Sequence, residues 1–202
     1  MTEIERVLAY WFEPKPETEE ALGSRFRRWF MGGEAIDGEV RERFGDLVEQ
    51  ARSGKLDAWA ETPRGALALI VLIDQFSRNL YRNSPEAFSA DARALALARA
   101  GYESGRFAEL DAFEHLFAGM PFSHAEDLEL QKRAVAHAER TAMLANPACK
   151  GAFIGSVEFA RKHLDVIARF GRFPHRNATL GRASTPEEIA YLEYSKFAGT
   201  WL

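Results

Sequence analysis

The sequence predicts an all-α fold, a single domain over residues 1–202, and three observations predict it. Hydrophobic residues recur at helical spacing over long windows, and no window alternates polarity as a half-buried strand does. Helix starts are legible: Thr62-Pro63, Ser84-Pro85 and Thr185-Pro186 each set a capping hydroxyl before a proline at the first helical position. No proline-, serine- or glycine-rich stretch divides the chain, and 47% hydrophobic with 28% charged residues is a globular composition. A chain of this length buries enough surface for a core without crosslinks.

In order, Glu3–Phe12, Thr18–Phe30 and Asp37–Ser53 read as helices, broken at Pro14, Pro16 and the Gly32-Gly33 pair. The next helix starts at Pro63. Its run Leu67 to Phe76 has the apolarity of a buried strand, but Leu69, Leu72, Ile73, Phe76 and Leu80 keep helical spacing beyond it. A helix so apolar around its girth is expected to be buried on most sides. Pro85 to Ala100 is rich in alanine and leucine, both strong helix formers. Ser123 with Glu126, like Thr185 with Glu188, has capping-box spacing, so helices are expected to start at His124, running to Ala145, and at Pro186. Ala148 to Phe170 carries Phe153, Val157, Ala160, Leu164 and Ile167 along one stripe. Gly101, Gly151 and Gly171 are the expected stops. Tyr10-Trp11-Phe12, Trp29-Phe30, Trp59 and Trp201 are expected to anchor helices or seal the ends of the core.

Several function classes are disfavoured. A net charge of −4 argues against nucleic acid or anionic lipid as partners. The longest apolar run, Ala66 to Ile73, is far short of the ~20 residues that span a membrane. The first residues carry acids where a signal peptide carries bases. One cysteine, Cys149, excludes a disulfide within the chain and every multi-cysteine zinc pattern, so the cytoplasm is the expected compartment. With no phosphate loop, nucleophile elbow or dinucleotide glycine pattern, no cofactor is expected. The histidines are 115, 124, 137, 163 and 175, none in a His-Glu-x-x-His pair, so no metal is expected. A site assembled across helices from His124, Glu126, His163 and His175 is the one arrangement imaginable.

Three stretches hold polar residues that a core does not require. Asp74 and Arg78 lie four apart on one helical face, and Gln75 and Asn79 form a parallel pair. They are either a network tying helices together or a wall of a polar pocket. Met120 to Asp127 reads as a loop entering a helix whose free N–H groups favour an anion, with His124 placed there. Glu126 and Asp127 are equally explained as capping and dipole residues. Phe170 to Asn177 is a helix stop followed by Arg172, His175, Arg176 and Asn177. Arginine forks suit carboxylate or phosphate, and His175 beside two cations leans toward the neutral imidazole. From Arg161 to Arg182 the chain carries +5, and the remainder −9. This cationic stretch either faces an anion or meets acidic neighbours.

The strings Ile73-Asp74-Gln75-Phe76-Ser77-Arg78-Asn79, Pro121-Phe122-Ser123-His124-Ala125-Glu126-Asp127 and Phe170-Gly171-Arg172-Phe173-Pro174-His175-Arg176-Asn177 resemble the motifs of a bacterial family catalogued as domain of unknown function nine hundred and twenty-four. Tyr10-Trp11-Phe12, Trp29-Phe30, Asp37, Phe44 and Trp59 fit its N-terminal part, so the resemblance spans nearly the whole chain. It implies an all-helical fold similar to tetratricopeptide-like arrays of antiparallel helix hairpins, and no established activity or cofactor. Ala125 stands where the family pattern leads one to expect serine, which weakens any Ser-His chemistry.

Two functions are expected from different classes, the first leading and the second its alternative. The first is a helical binding module that holds an anionic small molecule or acidic peptide through Arg78, Asn79, Arg172, Arg176 and Asn177. The second is a hydrolase- or lyase-like enzyme with His124 or His175 as the proton-transfer group, Asp74 or Glu126 orienting it, and arginines stabilising a developing anion. Geometry decides between them. The sequence names no oligomeric state.

Overall fold

Capping side chains and breaker residues set most of the architecture. The structure, a computed structural model, describes the backbone of residues 1–198 and the side chains through Ser195. Trp201 lies outside the described residues. The described elements are α-helices, a π-helical stretch and short 3-10 turns, with no strand among them.

Helices α1 (Glu3–Phe12), α2 (Glu19–Met31) and α3 (Gly33–Arg52) follow the expected order. Thr2 and Thr18 accept from the backbone N–H of Glu5 and Ala21, which starts the first two. Helix α4 (Pro63–Ile70) starts under Thr62, whose hydroxyl accepts from the Gly65 N–H. It runs through a π-helical stretch, Val71–Phe76, into α5 (Ser77–Leu80). Every residue from Gly65 to Ser77 is buried, so the helix reading of the apolar run holds. Each large aliphatic side chain there contributes roughly 1.5–3 kcal/mol of burial.

Downstream the chain departs from expectation in four places. Pro85 opens only a 3-10 turn, Pro85–Phe88, and α6 spans Asp91–Glu103. Gly101 does not stop α6: a Cβ there would lie 2.2 Å from the Phe107 ring, so the glycine admits that ring, and the chain turns at Gly105 instead. Helix α7 (Ala112–His124), unanticipated because proline, glycine and histidine interrupt its pattern, starts on an Asp111–Glu114 capping box. It ends at His124, where a helix start was expected. Ser123 is already helical and cannot cap; Asp127, in extended conformation, caps α8 (Leu128–Leu144) by accepting from the Leu130 N–H at 2.9 Å. Gly151 likewise stops nothing, lying in the first turn of α9 (Lys150–Phe170). Gly171 does stop α9, in left-handed conformation at φ 68°. Thr185 and Glu188 form the expected box under α10 (Pro186–Ala198), bonding at 3.2 and 2.7 Å.

One large core joins α1 through α9. Its aromatic centre packs Trp29 on Phe117 at 4.8 Å and Trp11 on Phe76 at 5.2 Å, and Trp29 Nε1 donates to the Trp11 carbonyl at 2.9 Å. Val166, Ile167 and Phe173 form a smaller cluster beneath the turn after α9. The consecutive pairs α7–α8 and α8–α9 pack most extensively, as hairpins do, while α4 threads the middle against α1, α6 and α7. Among the described residues no helix is long and apolar enough to cross a membrane.

Candidate functional site

The π-helical stretch places a carboxylate at the centre of the fold. An i−5 bond from Ser77 N–H to Leu72 O widens the turn, and Asp74 sits inside it with no exposed surface. Such turns recur at functional positions. Asp74 Oδ1 accepts from Arg78 Nη1 at 3.1 Å and from His124 Nδ1 at 2.7 Å, and Oδ2 accepts from Gln75. Arg78 also bonds the Asp74 carbonyl at 2.7 Å and reaches Asp91 Oδ2 at 2.9 Å. Gln75 and Asn79 do not pair. Gln75 also touches the Met120 sulfur, and Asn79 turns away to Asp37 Oδ1 at 2.8 Å.

His124 arrives from the C-terminal end of α7, not from a helix start, so no helix N-terminus backs it. Gln131 holds this turn by donating to the Ser123 and Ala125 carbonyls at 2.8 and 2.7 Å. The third stretch closes the cluster. Arg176 Nη1 donates to the His124 carbonyl at 3.0 Å and stands 3.8 Å from Asp91 Oδ2. Its guanidinium lies 4.6 Å from the Phe173 ring centre and 4.9 Å from that of Phe88. Asp74, His124 and Arg176 therefore converge.

Burial alone would raise the Asp74 pKa; the Arg78 charge, then His124, reverse that and hold the carboxyl well below the usual range. An ionised carboxylate only accepts, so His124 carries its proton on Nδ1. Burial, then the Arg78 charge, holds His124 toward the neutral imidazole. No described residue bonds Nε2, and 18% of the side chain stays exposed. Burial raises the Asp91 pKa and lowers that of Arg176 to about 10.

The remaining candidates form a brace beside the cluster. Arg172 grips Glu188 through two bonds at 2.6 and 2.8 Å, which helps hold that carboxyl down at about 2. Asn177 bonds Ser184 and Glu188 at 3.0 and 3.2 Å. Glu126 accepts from Arg182 at 2.6 and 2.9 Å and from the Phe173 N–H at 2.8 Å. Glu126 thus orients the last turn rather than His124. The arginines of the cationic stretch meet acids: Arg161 pairs with Glu139 and Arg169 with Glu187. His175 is exposed on the neighbouring turn; surrounding protein and then the Arg176 charge favour its neutral form. His163 is buried beneath Phe173 at 5.2 Å between ring centres. Among the described residues no three histidine, cysteine or acidic side chains gather to hold a metal.

The pattern of the family described as bacterial protein of unknown function (DUF924) matches residues 7–196. The chain belongs to that family. It is similar to the solved structure of a protein of unknown function from Agrobacterium tumefaciens, at 32% identity and a TM-score of 0.78, covering 95% of this chain and 97% of that one. No curated protein matches. In this DUF924 chain, all three quoted motifs supply a member of one hydrogen-bonded cluster: Asp74 and Arg78, His124, and Arg176. Sequence reasoning missed Asp91 and Phe88. Both lie inside the helix expected from Pro85 to Ala100, and nothing local distinguished either residue.

Proposed function

We propose that Asp74 and His124 form a proton-transfer site, and that the protein is a hydrolase- or lyase-like enzyme. The observation that carries this reading is the 2.7 Å bond from His124 Nδ1 to a fully buried carboxylate, with Nε2 left free of described partners. A carboxylate on Nδ1 fixes tautomer and ring orientation and makes Nε2 the basic nitrogen. Arg78 keeps Asp74 ionised. Nε2 accepts a proton from substrate or water and returns it to the leaving group, while Arg176 stands near for negative charge that develops. Ala125 offers no hydroxyl on the C-terminal side of the histidine, and no bond joins the Ser123 hydroxyl to the His124 ring among the described residues, which favours an activated water or direct proton abstraction over a serine nucleophile. The lone buried Cys149 supports a cytoplasmic setting.

Arg176 Nε, buried and without a described partner, favours a second reading, an anionic small molecule or acidic peptide held without chemistry. That reading draws less support, because Arg78 and Arg172 are already committed to Asp74, Asp91 and Glu188. A screen of ester, amide, phosphoester and lyase substrates separates them. The enzyme reading expects turnover that falls by about 100-fold or more in His124→Ala and in Asp74→Asn, but survives Arg172→Ala. Binding of an anion that needs Arg172, with no turnover of any class, supports the module instead.

A further inference from the structure

Two side chains compete for one oxygen at the centre of the cluster. Asp74 Oδ1 accepts from His124 Nδ1 at 2.7 Å and from Arg78 Nη1 at 3.1 Å. A guanidinium facing a carboxylate favours a fork of two parallel bonds, one to each oxygen. Arg78 does not fork on Asp74. Its Nη1 bonds Oδ1 and the Asp74 carbonyl, while its Nη2 donates to Asp91 Oδ2 at 2.9 Å. The second oxygen of Asp74 is left to Gln75.

Asp91 opens α6, where an acid serves the helix dipole with no partner at all. This one is turned inward, with 22% of its side chain exposed. Besides Arg78 it faces Arg176, whose Nη1 lies 3.8 Å from the same oxygen and donates to the His124 carbonyl at 3.0 Å. A ring thus closes through four segments of chain: Asp74, His124, Arg176, Asp91, Arg78 and back to Asp74. Within it Asp91 faces both arginines, and each arginine grips one half of the Asp74–His124 pair. The imidazoles of His163, on α9, and His175, on the last turn, are the other titrating groups that stand near His124.

We propose that Asp91 is a positioning residue for proton transfer: it holds Arg78 by Nη2, so that the guanidinium does not fork onto Asp74, and thereby keeps Asp74 Oδ1 for His124. The inference rests on the proton-transfer reading of that pair and adds what sets its geometry. Asp91 acts through the arginines, not on the imidazole. Asp91→Asn keeps the shape but offers Arg78 Nη2 a neutral acceptor. The ionised Asp74 then competes for Nη2 with a charge-assisted bond about twice as strong, the guanidinium turns toward the fork, and the bond from His124 loosens.

The test is proton and nitrogen-15 NMR of His124 in the whole wild-type protein and in Asp91→Asn, with folding checked by the amide spectrum. In the variant the His124 Nδ1–H signal is expected to move upfield. The proton affinity of the ring is expected to fall about threefold or more, because a negative charge that favours the imidazolium is lost. An unmoved Nδ1–H overturns the inference even where the affinity falls, since lost charge alone accounts for that. A variant that is only less stable to urea, with both signals unchanged, makes Asp91 an ordinary helix-start acid. Should Asp91→Asn not fold, carbon-13 titration of the Asp91 carboxyl in the wild type takes its place. The Arg78 guanidinium protons and the His124 Nδ1–H are then expected to shift at the Asp91 midpoint, and silence of either overturns the inference. In each of these failures the wild-type proton stays on Nδ1, whereas a neutral wild-type ring with its proton on Nε2 removes the proton-transfer reading itself.

Discussion

Asp74 is a charge in the least hospitable part of the molecule, and its bonds to Arg78, His124 and Gln75 make it tolerable there. Removing one member of a buried, bonded pair leaves the others exposed to the full cost of desolvation. Asp74→Asn is therefore expected to lower unfolding free energy by about 3 kcal/mol in urea denaturation. Other histidines make a separate prediction about acid. His137 Nε2 donates to the His115 carbonyl at 2.8 Å, and the Tyr102 hydroxyl lies 3.1 Å from His115 Nδ1. Burial takes His137 and His163 down to about 4, from 6.5 when unfolded. Depressed pKa values mean that the unfolded chain binds protons first as pH falls. Their contribution is thus complete above 6.5 and lost progressively toward 4, at up to about 1.4 kcal/mol per pH unit for each histidine. Urea midpoints measured across that window check it; a flat profile contradicts the burial.

At the scale of elements, close approaches replace bulk as the determinant of packing. Gly119 lets α7 meet α8: a Cβ there would lie 2.0 Å from the His137 ring. Gly119→Ala is expected to cost about 1–3 kcal/mol by overpacking, measurable as a lower urea midpoint with an unchanged slope. The sequence spoke clearly where a side chain signals by itself. Thr62, Thr185 and Gly171 mark helix ends through local chemistry, and the apolar run is helical because its spacing persists to Leu80. It was silent or misleading where an end depends on distant residues. The Ser123–Glu126 spacing mimics a cap, yet Glu126 is taken by Arg182, fifty-six positions along the chain. Gly101 mimics a stop, but its role is set by Phe107. The π turn left no trace in the spacing of Asp74 and Arg78, which meet as an ordinary helix pair would.

In the whole molecule, the turn after α9 is fastened to the rest through a few charged bonds and a small apolar cluster. Glu126→Gln weakens the bond to Arg182 and the one from Phe173, and is expected to expose the 171–185 segment to limited proteolysis while leaving the far-UV circular dichroism unchanged. Cleavage no faster than in the wild type would mean that the cluster of Val166, Ile167 and Phe173 alone holds the turn. Arg176 rides on this segment, so its approach to His124 depends on that fastening. Three distant stretches thus meet at one histidine ring, and the state of that ring is the most direct test. Nitrogen-15 NMR of His124 is expected to show, at neutral pH, the proton on Nδ1 and an unprotonated Nε2, and on acidification protonation of Nε2 with a pKa below 6.5. A neutral ring with its proton on Nε2, or titration above that value, contradicts the account.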